Sequence, residues 1–367
     1  MNTQREHGAR VLIAASGTGG HLFPALFIAR AFQRISSSCQ VEFIGSGRPL
    51  EEKVLGSAGF KIHTISMVGV KRRGIKGLFQ ALKKLPASFK EIGEIFRDFK
   101  PDVVVGVGGY VTFVPITYAR IKGIPTWIHE AELKPGMANK VLIRYATRVS
   151  AAFAQASFIK RKNVIFTGHP VRENLAEISQ GIQPPQAPKK VLIVGGSQGA
   201  RALDEALPAL AGLLNERNLE LTHQCRPENV ISLSENYAKA GVRAKVVPFI
   251  DDMSAAYGWA DIVISRAGAG TVMELGVANR PVILVPYPYA QGDHQTANAM
   301  TLANSGKALV VKEGGDFQPR LREAISRMLD PQFYHQMKQQ PFESRSLHAA
   351  EAIAQGCLEL VREGSPS

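Results

Sequence analysis

Two segments of this chain have the same order of residue types, and this repetition constrains the fold more than any other feature. In "ARVLIAASGTGGHLFPALFIARAF", which starts at Ala9, a short apolar run leads into a glycine turn and then an amphipathic pattern. "KKVLIVGGSQGARALDEALP", which starts at Lys189, has the same order. Strand, glycine turn and helix in succession are typical of a doubly wound α/β unit. The sequence therefore predicts two such units, each with a parallel sheet.

Short apolar runs alternate with helical patterns along the whole chain, as expected for crossover units and parallel sheets. The predicted strands cover 10–15, 41–45, 61–65, 102–107, 125–130, 190–196, 219–224, 244–249, 261–266, 281–286 and 307–312. The Pro- and Gln-rich stretch 179–190 is predicted to be a linker. We therefore expect an N-terminal domain at 1–178, a C-terminal domain at 191–340, and a helix within 341–367 that packs back on the first domain. Ligands of such sheets bind beyond the carboxyl ends of the strands, which predicts a cleft between two facing domains.

Composition narrows the function classes. A net charge of +13 suits polyanionic partners such as nucleic acid, anionic lipid or a phosphorylated substrate. No aromatic stacking platform or nucleic-acid module accompanies the charge, so we expect no nucleic-acid partner. Three widely spaced cysteines predict neither a disulfide framework nor a zinc site and indicate a reducing compartment. We expect no signal peptide, and no apolar run reaches membrane-spanning length.

Glycine turns follow several of the predicted strands. The turn at 17–20 lacks the third glycine of a dinucleotide fingerprint, because Leu22 occupies that position, and it also lacks the Gly-Lys-Ser/Thr of a P-loop. Exposed backbone amides at a helix start still bind anions. "GGSQGA" at 195–200 and "GVGGY" at 106–110 are similar turns. Three such turns favour phosphate binding, although tight strand-to-helix packing would also explain each of them.

The segment "SRAGAGTVMELG", 265–276, combines a strand end with a further possible phosphate site. Thr271 and the glycines open a helix, and Glu274 lies in its first turns. A carboxylate there can accept both hydroxyls of a ribose, or it can simply complement the helix dipole. "GDHQTANA", 292–299, offers amide side chains for sugar hydroxyls, or it is a capped surface helix. Asp251 and Asp252 are predicted to form the cap and first turn of a helix, and no metal site is expected.

Seven motifs, taken in order, resemble the MurG family of bacterial glycosyltransferases over about 10–312: "GTGGH", "GVGGYV", "TGHPVR", "VGGSQGAR", "FIDDM", "RAGAGTVMELG" and "DHQTANA". The resemblance implies the GT-B fold, two doubly wound domains around a cleft. It also implies an inverting hexosyltransferase that moves N-acetylglucosamine from UDP-N-acetylglucosamine to the muramyl 4-hydroxyl of lipid I. The product is lipid II for peptidoglycan synthesis, and no cofactor is required.

The resemblance also implies a set of binding residues. The donor contacts would be Thr18, Gly19, Gly20, Arg172, Ser197, Ile250, Ala269, Gly270, Thr271, Val272, Met273, Glu274 and Gln295. Ile250 would present its backbone to uracil and Glu274 would hold the ribose, while Ser197 and Thr271 would contact phosphate. Gly108, Gly109 and Tyr110 would lie on the acceptor side.

Two positions depart from the family pattern. Glu132 stands where the family has an asparagine donor contact, and an ionised carboxylate accepts hydrogen bonds but cannot donate them. The stretch "THQCRPEN", 222–229, lacks the glycine that follows His-Gln in the family, and we have no account of that change. A UDP-N-acetylglucosamine 2-epimerase and a diacylglycerol glycosyltransferase remain alternatives on the same architecture.

His21, at the end of "GTGGH", is the predicted catalytic base. Inversion requires a group that removes the proton of the attacking hydroxyl, and imidazole changes protonation near neutral pH. Phosphate binding does not require a histidine at this position, although a histidine that caps the helix would be a structural alternative.

A basic and apolar segment at 68–90 is the predicted membrane contact. Its residues are Lys71, Arg72, Arg73, Lys76, Leu78, Phe79, Leu82 and Lys83. Apolar residues bordered by cations suit an anionic interface, or they form a core helix with a basic outer face. We expect a peripheral protein at the cytoplasmic face of the bacterial inner membrane, with lipid I as acceptor and other cell-wall enzymes as possible partners.

Overall fold

The computed structural model describes residues 8–67, 74–181, 185–196, 199–340 and 344–363. The chain divides into two compact units, Met1–Val171 with Arg345–Ser367, and Arg172–Ser344. The predicted linker at 179–190 begins within the last residues of a helix, Leu175–Gly181, and ends at a strand that starts at Lys190.

A parallel sheet forms the centre of the first unit. Its described strands are β1 Arg10–Ala14, β2 Gln40–Gly45, β3 Ile62–Thr64, β4 Val103–Gly106, β5 Thr126–Glu130, β6 Arg148–Ala151 and β7 Val164–Phe166. They lie in the order β3-β2-β1-β4-β5-β6-β7. The direction of winding reverses between β1 and β4, which places the two loops that follow these strands side by side.

Helices cover both faces of this sheet. They are α1 Gly19–Ile35, α2 Pro49–Glu51, α3 Gly74–Phe99, α4 Phe113–Ile121 and α5 Met137–Leu142, with a π-helical turn at Glu52–Gly56. Alternate residues of β1 point to opposite faces, so Val11 and Ile13 pack with α1 while Leu12 and Ala14 pack with α3 and α4. The first sheet is therefore buried on both sides.

The second unit repeats this plan. Its described strands are β8 Lys190–Val194, β9 Glu220–Gln224, β10 Arg243–Val247, β11 Ile262–Ser265, β12 Val282–Leu284 and β13 Ala308–Val310, in the order β10-β9-β8-β11-β12-β13. Its helices are α6 Leu175–Gly181, α7 Arg201–Ala206, α8 Ala211–Glu216, α9 Val230–Lys239, α10 Met253–Trp259, α11 Ala269–Val277, α12 His294–Asn304, α13 Phe317–Met328 and α14 Pro331–Gln339. The winding reverses between β8 and β11.

The last helix, α15 Ala349–Glu363, belongs to the first unit and lies beside α1. Its Gly356 is required by close packing, because a Cβ at this position would lie 2.5 Å from Cη2 of Trp127. Trp127 is 2% exposed and belongs to the same core as Ile353 and Ala354. The C-terminal segment thus completes the face of the first sheet that also carries α1.

Two parallel, doubly wound sheets confirm the predicted fold class. The sequence prediction missed β6 and β7. β6 consists of only four residues, among them Arg148 and Ser150, and β7 of only three, so neither forms an apolar run long enough to stand out.

Candidate active site

The turn between β1 and α1 holds His21 in a defined orientation. Gly17 has a φ of +106°, which a residue with a Cβ rarely adopts. The chain then enters α1 at Gly19, and the His21 Nδ1 atom lies 3.0 Å from the carbonyl oxygen of Ser16. A carbonyl oxygen only accepts hydrogen bonds, so Nδ1–H donates to Ser16 O. In the neutral imidazole the lone pair is therefore on Nε2.

The glycines after β4 make room for that imidazole. A Cβ on Gly108 would lie 2.6 Å from the His21 Cδ2 atom and 2.9 Å from Nε2. A Cβ on Gly109 would lie 2.9 Å from the carbonyl oxygen of Ser16. Both glycines have positive φ values, +109° and +84°. "GTGGH" and "GVGGY" thus form one close-packed site at the switch point of the first sheet, with Tyr110 half-buried at its edge.

A buried histidine pair lies on the same face of the sheet as His21. His129 Nδ1 lies 3.0 Å from Ser150 Oγ, and His129 Nε2 shares a 3.0 Å hydrogen bond with His169 Nδ1. Trp127 Nε1 donates to the same Ser150 hydroxyl. Burial lowers the pKa of His129 well below its ordinary value, and His169 and His21 lower it further. Burial and His21 lower the pKa of His169 to about 3. Both imidazoles are therefore neutral at neutral pH.

Glu130, the last residue of β5, organises the loop that contains Glu132. Its carboxylate accepts hydrogen bonds from the backbone N–H of Glu132 at 2.9 Å, the backbone N–H of Gly136 at 3.2 Å and Asn139 Nδ2 at 3.0 Å. Burial nevertheless raises its pKa to about 7. Glu132 itself is half-buried. The sequence prediction did not include Glu130, although a polar residue that ends a buried strand was a usable signal.

In the second unit, two side chains contact the predicted ribose carboxylate, that of Glu274. Arg172 Nε lies 3.2 Å from Glu274 Oε1, and the Tyr257 hydroxyl donates to Glu274 Oε2 at 3.2 Å. Burial raises the pKa of Glu274, while Arg172 and the Tyr257 hydrogen bond oppose that shift. Arg172 and Glu274 were predicted, and Tyr257 was missed.

The start of α11 provides backbone donors beside this carboxylate. Gly268 precedes the helix in an extended conformation, and its carbonyl accepts from Val272 N at 2.9 Å. The first N–H groups of the helix, at Ala269, Gly270 and Thr271, have no intrahelical partner and favour an anion. The side chains of Val272 and Met273 are buried in the core, so those two positions can contribute to a ligand site only through the backbone.

The hydrogen bonds of Gln295 fix the orientation of its side-chain amide. Its Oε1 accepts from Tyr287 N at 2.9 Å and from Ala267 N at 3.3 Å. The Nε2 group is therefore the end that is directed away from these two donors. Gln295 can thus donate to a sugar hydroxyl. Asn298, from the same motif, is buried and donates to the Ala267 carbonyl at 3.3 Å, which makes it a support of the α11 turn.

The other predicted site residues have these positions. Thr18 and Gly20 are exposed and Gly19 is half-buried, and all three lie at the start of α1. Ile250 is half-buried two residues before Asp252, whose carboxylate accepts from Ala255 N at 2.9 Å and caps α10 as predicted.

Ser197 lies outside the described residues, as do Lys71, Arg72 and Arg73. The rest of the predicted membrane contact belongs to α3, where the side chains are not described: Lys76, Leu78, Phe79, Leu82 and Lys83.

The described part of the chain contains neither a cluster of metal-binding side chains nor a helix that could span a membrane. No three His, Cys, Asp or Glu side chains within it are grouped in a way that could hold a metal ion. None of its helices is both long and apolar enough to cross a membrane.

Comparison with known proteins identifies the family. The models of the glycosyltransferase family 28 N-terminal and C-terminal domains match residues 11–151 and 190–354. The UDP-N-acetylglucosamine--N-acetylmuramyl-(pentapeptide) pyrophosphoryl-undecaprenol N-acetylglucosamine transferase of Shewanella denitrificans is 38% identical, over 96% of this chain and 98% of that protein. The crystal structure of Acinetobacter baumannii MurG aligns with a TM-score of 0.74 at 32% identity, over 97% of this chain and 99% of that chain. The chain belongs to the MurG family.

Membership of the MurG family confirms the resemblance read from the seven motifs and the GT-B fold that it implied. A UDP-N-acetylglucosamine 2-epimerase aligns over 96% of both chains with a TM-score of 0.65, but at 15% identity. At this identity the likeness shows a shared fold alone.

Proposed function

We propose that this MurG-family chain transfers N-acetylglucosamine from UDP-N-acetylglucosamine to the muramyl 4-hydroxyl of lipid I, with inversion, to give lipid II. The observation that carries the proposal is the match over nearly the whole chain to relatives named as that transferase. The site geometry of each unit supports it. The epimerase alternative has a structural match over 96% of this chain, but at 15% identity that match supports the fold alone.

His21 is the group that removes the acceptor proton. Its Nδ1–H is held by the carbonyl of Ser16, so Nε2 presents a lone pair. As the acceptor oxygen forms its bond to C1 of N-acetylglucosamine, its proton passes to Nε2. The bond between C1 and the phosphate oxygen breaks, and UDP leaves with the electron pair. Attack on the face opposite UDP inverts the configuration at C1. General-base assistance of this kind contributes roughly 10²–10⁴-fold.

The second unit binds the donor. Glu274 accepts the hydroxyls of the ribose, the first amides of α11 and Thr271 contact the diphosphate, and Gln295 donates to a sugar hydroxyl. The arrangement of Glu274 between Arg172 and Tyr257 supports the first assignment, and the amide orientation of Gln295 supports the last. Ile250, Ser197, Thr18, Gly19 and Gly20 are the further donor contacts. Gly108, Gly109 and Tyr110 lie on the acceptor side.

Glu132 modifies this pattern. Because its carboxylate accepts but does not donate when ionised, it can bind only a hydroxyl or N–H of the donor. Its backbone N–H is already held by Glu130, so the side chain projects from a fixed loop.

The protein works at the cytoplasmic face of the inner membrane, where it contacts anionic lipid through the basic segment around Lys71 to Lys83 and cooperates with other cell-wall enzymes. The support is the chemistry of the acceptor, which carries a polyprenyl tail, together with the clustering of cations and apolar residues in this segment.

The test of the activity uses purified protein, radiolabelled UDP-N-acetylglucosamine and three mixtures. Label should pass to a lipid I analogue, with release of UDP, and should not pass to diacylglycerol. Formation of an epimerised UDP-sugar without any acceptor would instead identify an epimerase, and transfer to diacylglycerol would identify the other alternative.

A further inference from the structure

Tyr257 is a buried polar side chain that none of the roles above uses. It lies in α10, is 1% exposed, and its hydroxyl donates to Glu274 Oε2 at 3.2 Å. Burial and the neighbouring Glu274 carboxylate raise the pKa of Tyr257 well above its ordinary value, so the phenol keeps its proton and remains a donor. The hydroxyl is therefore a hydrogen-bond donor to this carboxylate.

The two oxygens of Glu274 have different partners. Arg172 forms an ion pair with Oε1, while Tyr257 donates to Oε2. A carboxylate has about four lone-pair positions, and one contact on each oxygen leaves a lone pair on each for a further donor. Two hydroxyls on adjacent carbons match two oxygens held in this way. Without Tyr257, Oε2 would lose its buried donor, and the carboxylate could rotate to give both oxygens to Arg172.

Helix α10 connects this contact to the predicted uracil site. Asp252 caps the helix two residues after Ile250, and Tyr257 lies one turn further along the same helix. At the other end of the contact, Glu274 follows the first turn of α11. Tyr257 therefore links the two elements that are proposed to bind the base and the diphosphate.

We propose that Tyr257 is a positioning residue that orients Glu274 for a cis-diol and so makes the site selective for a ribonucleotide. The inference rests on the proposed function, because it takes Glu274 to be the ribose acceptor. It adds a residue that acts through Glu274 and does not touch the nucleotide.

The test measures the dissociation constants of UDP, 2′-deoxy-UDP and 3′-deoxy-UDP by calorimetry, for the wild type and Tyr257→Phe. The wild type should bind UDP more tightly than either deoxy analogue. In Tyr257→Phe, affinity for UDP should fall about tenfold, the loss expected for one hydrogen bond to a charged group. The deoxy analogues should lose much less affinity, so the ratio between UDP and each analogue should shrink. Tyr257→Met removes the hydroxyl in a second way if the phenylalanine variant does not fold.

Tyr237→Phe is the matched control. Tyr237 is also 1% exposed in the second unit, and its hydroxyl lies 2.9 Å from Nδ1 of His223, a residue outside the proposed donor set. This variant should keep the wild-type ratio even if it unfolds at a lower temperature.

The possible outcomes distinguish an error in the ribose role of Glu274 from an error in the role of Tyr257. If the wild type does not discriminate against the deoxy analogues, the ribose role of Glu274 is wrong and the inference falls with it. If the wild type discriminates and Tyr257→Phe keeps the same ratio, Tyr257 is a packing residue only, and the proposed function stands. The inference is supported if the ratio of affinities between UDP and each deoxy analogue shrinks in Tyr257→Phe and stays at the wild-type value in Tyr237→Phe.

Discussion

The imidazole of His21 lies against the backbone of Gly108, so closely that a Cβ at position 108 would be 2.6 Å from Cδ2 and 2.9 Å from Nε2. The orientation of the proposed base is thus set by two loops: Ser16 holds Nδ1, and Gly108 leaves space for the ring. These two loops follow β1 and β4, the neighbouring strands at which the winding of the sheet reverses.

Gly108→Ala should abolish most of the turnover. The new methyl group would displace the His21 ring, and alanine at a φ of +109° would also be strained. We expect kcat to fall by about 10²-fold, the lower end of base assistance, while the dissociation constant for UDP stays close to the wild-type value. Steady-state kinetics and calorimetry measure the two quantities.

Gly123→Ala controls for backbone strain. Gly123 has a φ of +72° in an exposed turn of the same unit, with nothing within 4 Å of an added Cβ. This variant should lose some stability and keep its kcat. An equal loss of turnover in both glycine variants would show that strain in the unit, rather than displacement of His21, is responsible.

His21→Ala should lower kcat by about tenfold or more without weakening UDP binding, because a base acts only in the transition state. Single-turnover measurements with saturating donor report the chemical step directly. Retained turnover would assign His21 a structural role in the Ser16 turn, and another group would have to receive the acceptor proton.

The local parts of this site were predictable from the sequence, and its long-range pairs were not. The turns around His21 and Glu274 are visible because a strand, glycines and a helix start follow one another within about a dozen residues. The contact between His129 and His169 joins positions 40 residues apart, and that between Tyr257 and Glu274 joins two helices. Such pairs depend on how elements pack, which periodicity does not encode. β6 and β7 were missed for a related reason, since their short runs become strands only by pairing with β5 and with each other.

The buried histidine pair should make the first unit less stable in acid. In the unfolded chain both imidazoles titrate near about pH 6.5, whereas burial lowers the folded pKa of each, to about 3 for His169. Below about pH 6.5 the unfolded state therefore binds more protons, and the free energy of unfolding falls by about 1.4 kcal/mol per pH unit for each histidine. For His169 this loss continues until the pH reaches about 3.

His169→Gln should make the free energy of unfolding less dependent on pH. The slope should fall by about 1.4 kcal/mol per pH unit, which is the contribution of one histidine. Urea unfolding is measured between pH 7 and pH 5 by the fluorescence of Trp127 in a Trp259→Phe background. This signal reports on the first unit, because Trp127 is then the remaining tryptophan.

Glu130, with its pKa raised to about 7, contributes a slope of opposite sign, since its folded state binds more protons than its unfolded state from about pH 7 to about pH 4.5. That contribution is common to both proteins and cancels in the comparison. Identical slopes would mean that His169 is not neutral in the folded state.

Glu274→Ala should weaken UDP binding by about tenfold or more, because the ribose loses its acceptor and Arg172 loses its partner. Glu235→Ala is a suitable control, as this glutamate forms an exposed pair with Lys239 in the same unit. Calorimetry with UDP checks both. A dissociation constant within about twofold of the wild type in Glu274→Ala would leave this carboxylate as a partner of the helix dipole only.

The basic segment before and within α3 should determine membrane binding. Replacing Lys71, Arg72, Arg73 and Lys76 with glutamine removes four cations, each expected to contribute about 1 kcal/mol near an anionic surface. In sedimentation assays with anionic vesicles, wild-type binding should weaken as salt rises, and the variant should bind poorly at both low and high salt. Turnover with a short-chain soluble acceptor should be retained, since the proposed catalytic groups are elsewhere in the chain.

A second charge-removal variant separates position from net charge. Glutamine at Lys122, Lys160, Arg161 and Lys162 removes the same four charges from exposed positions of the first unit. If binding depends on the local segment, this control should sediment with vesicles nearly as the wild type does. Equal losses in both variants would show that the overall charge of +13, and not this segment, attracts the protein to the membrane. Wild-type sedimentation of the first variant would mean that the protein contacts the bilayer through a different surface.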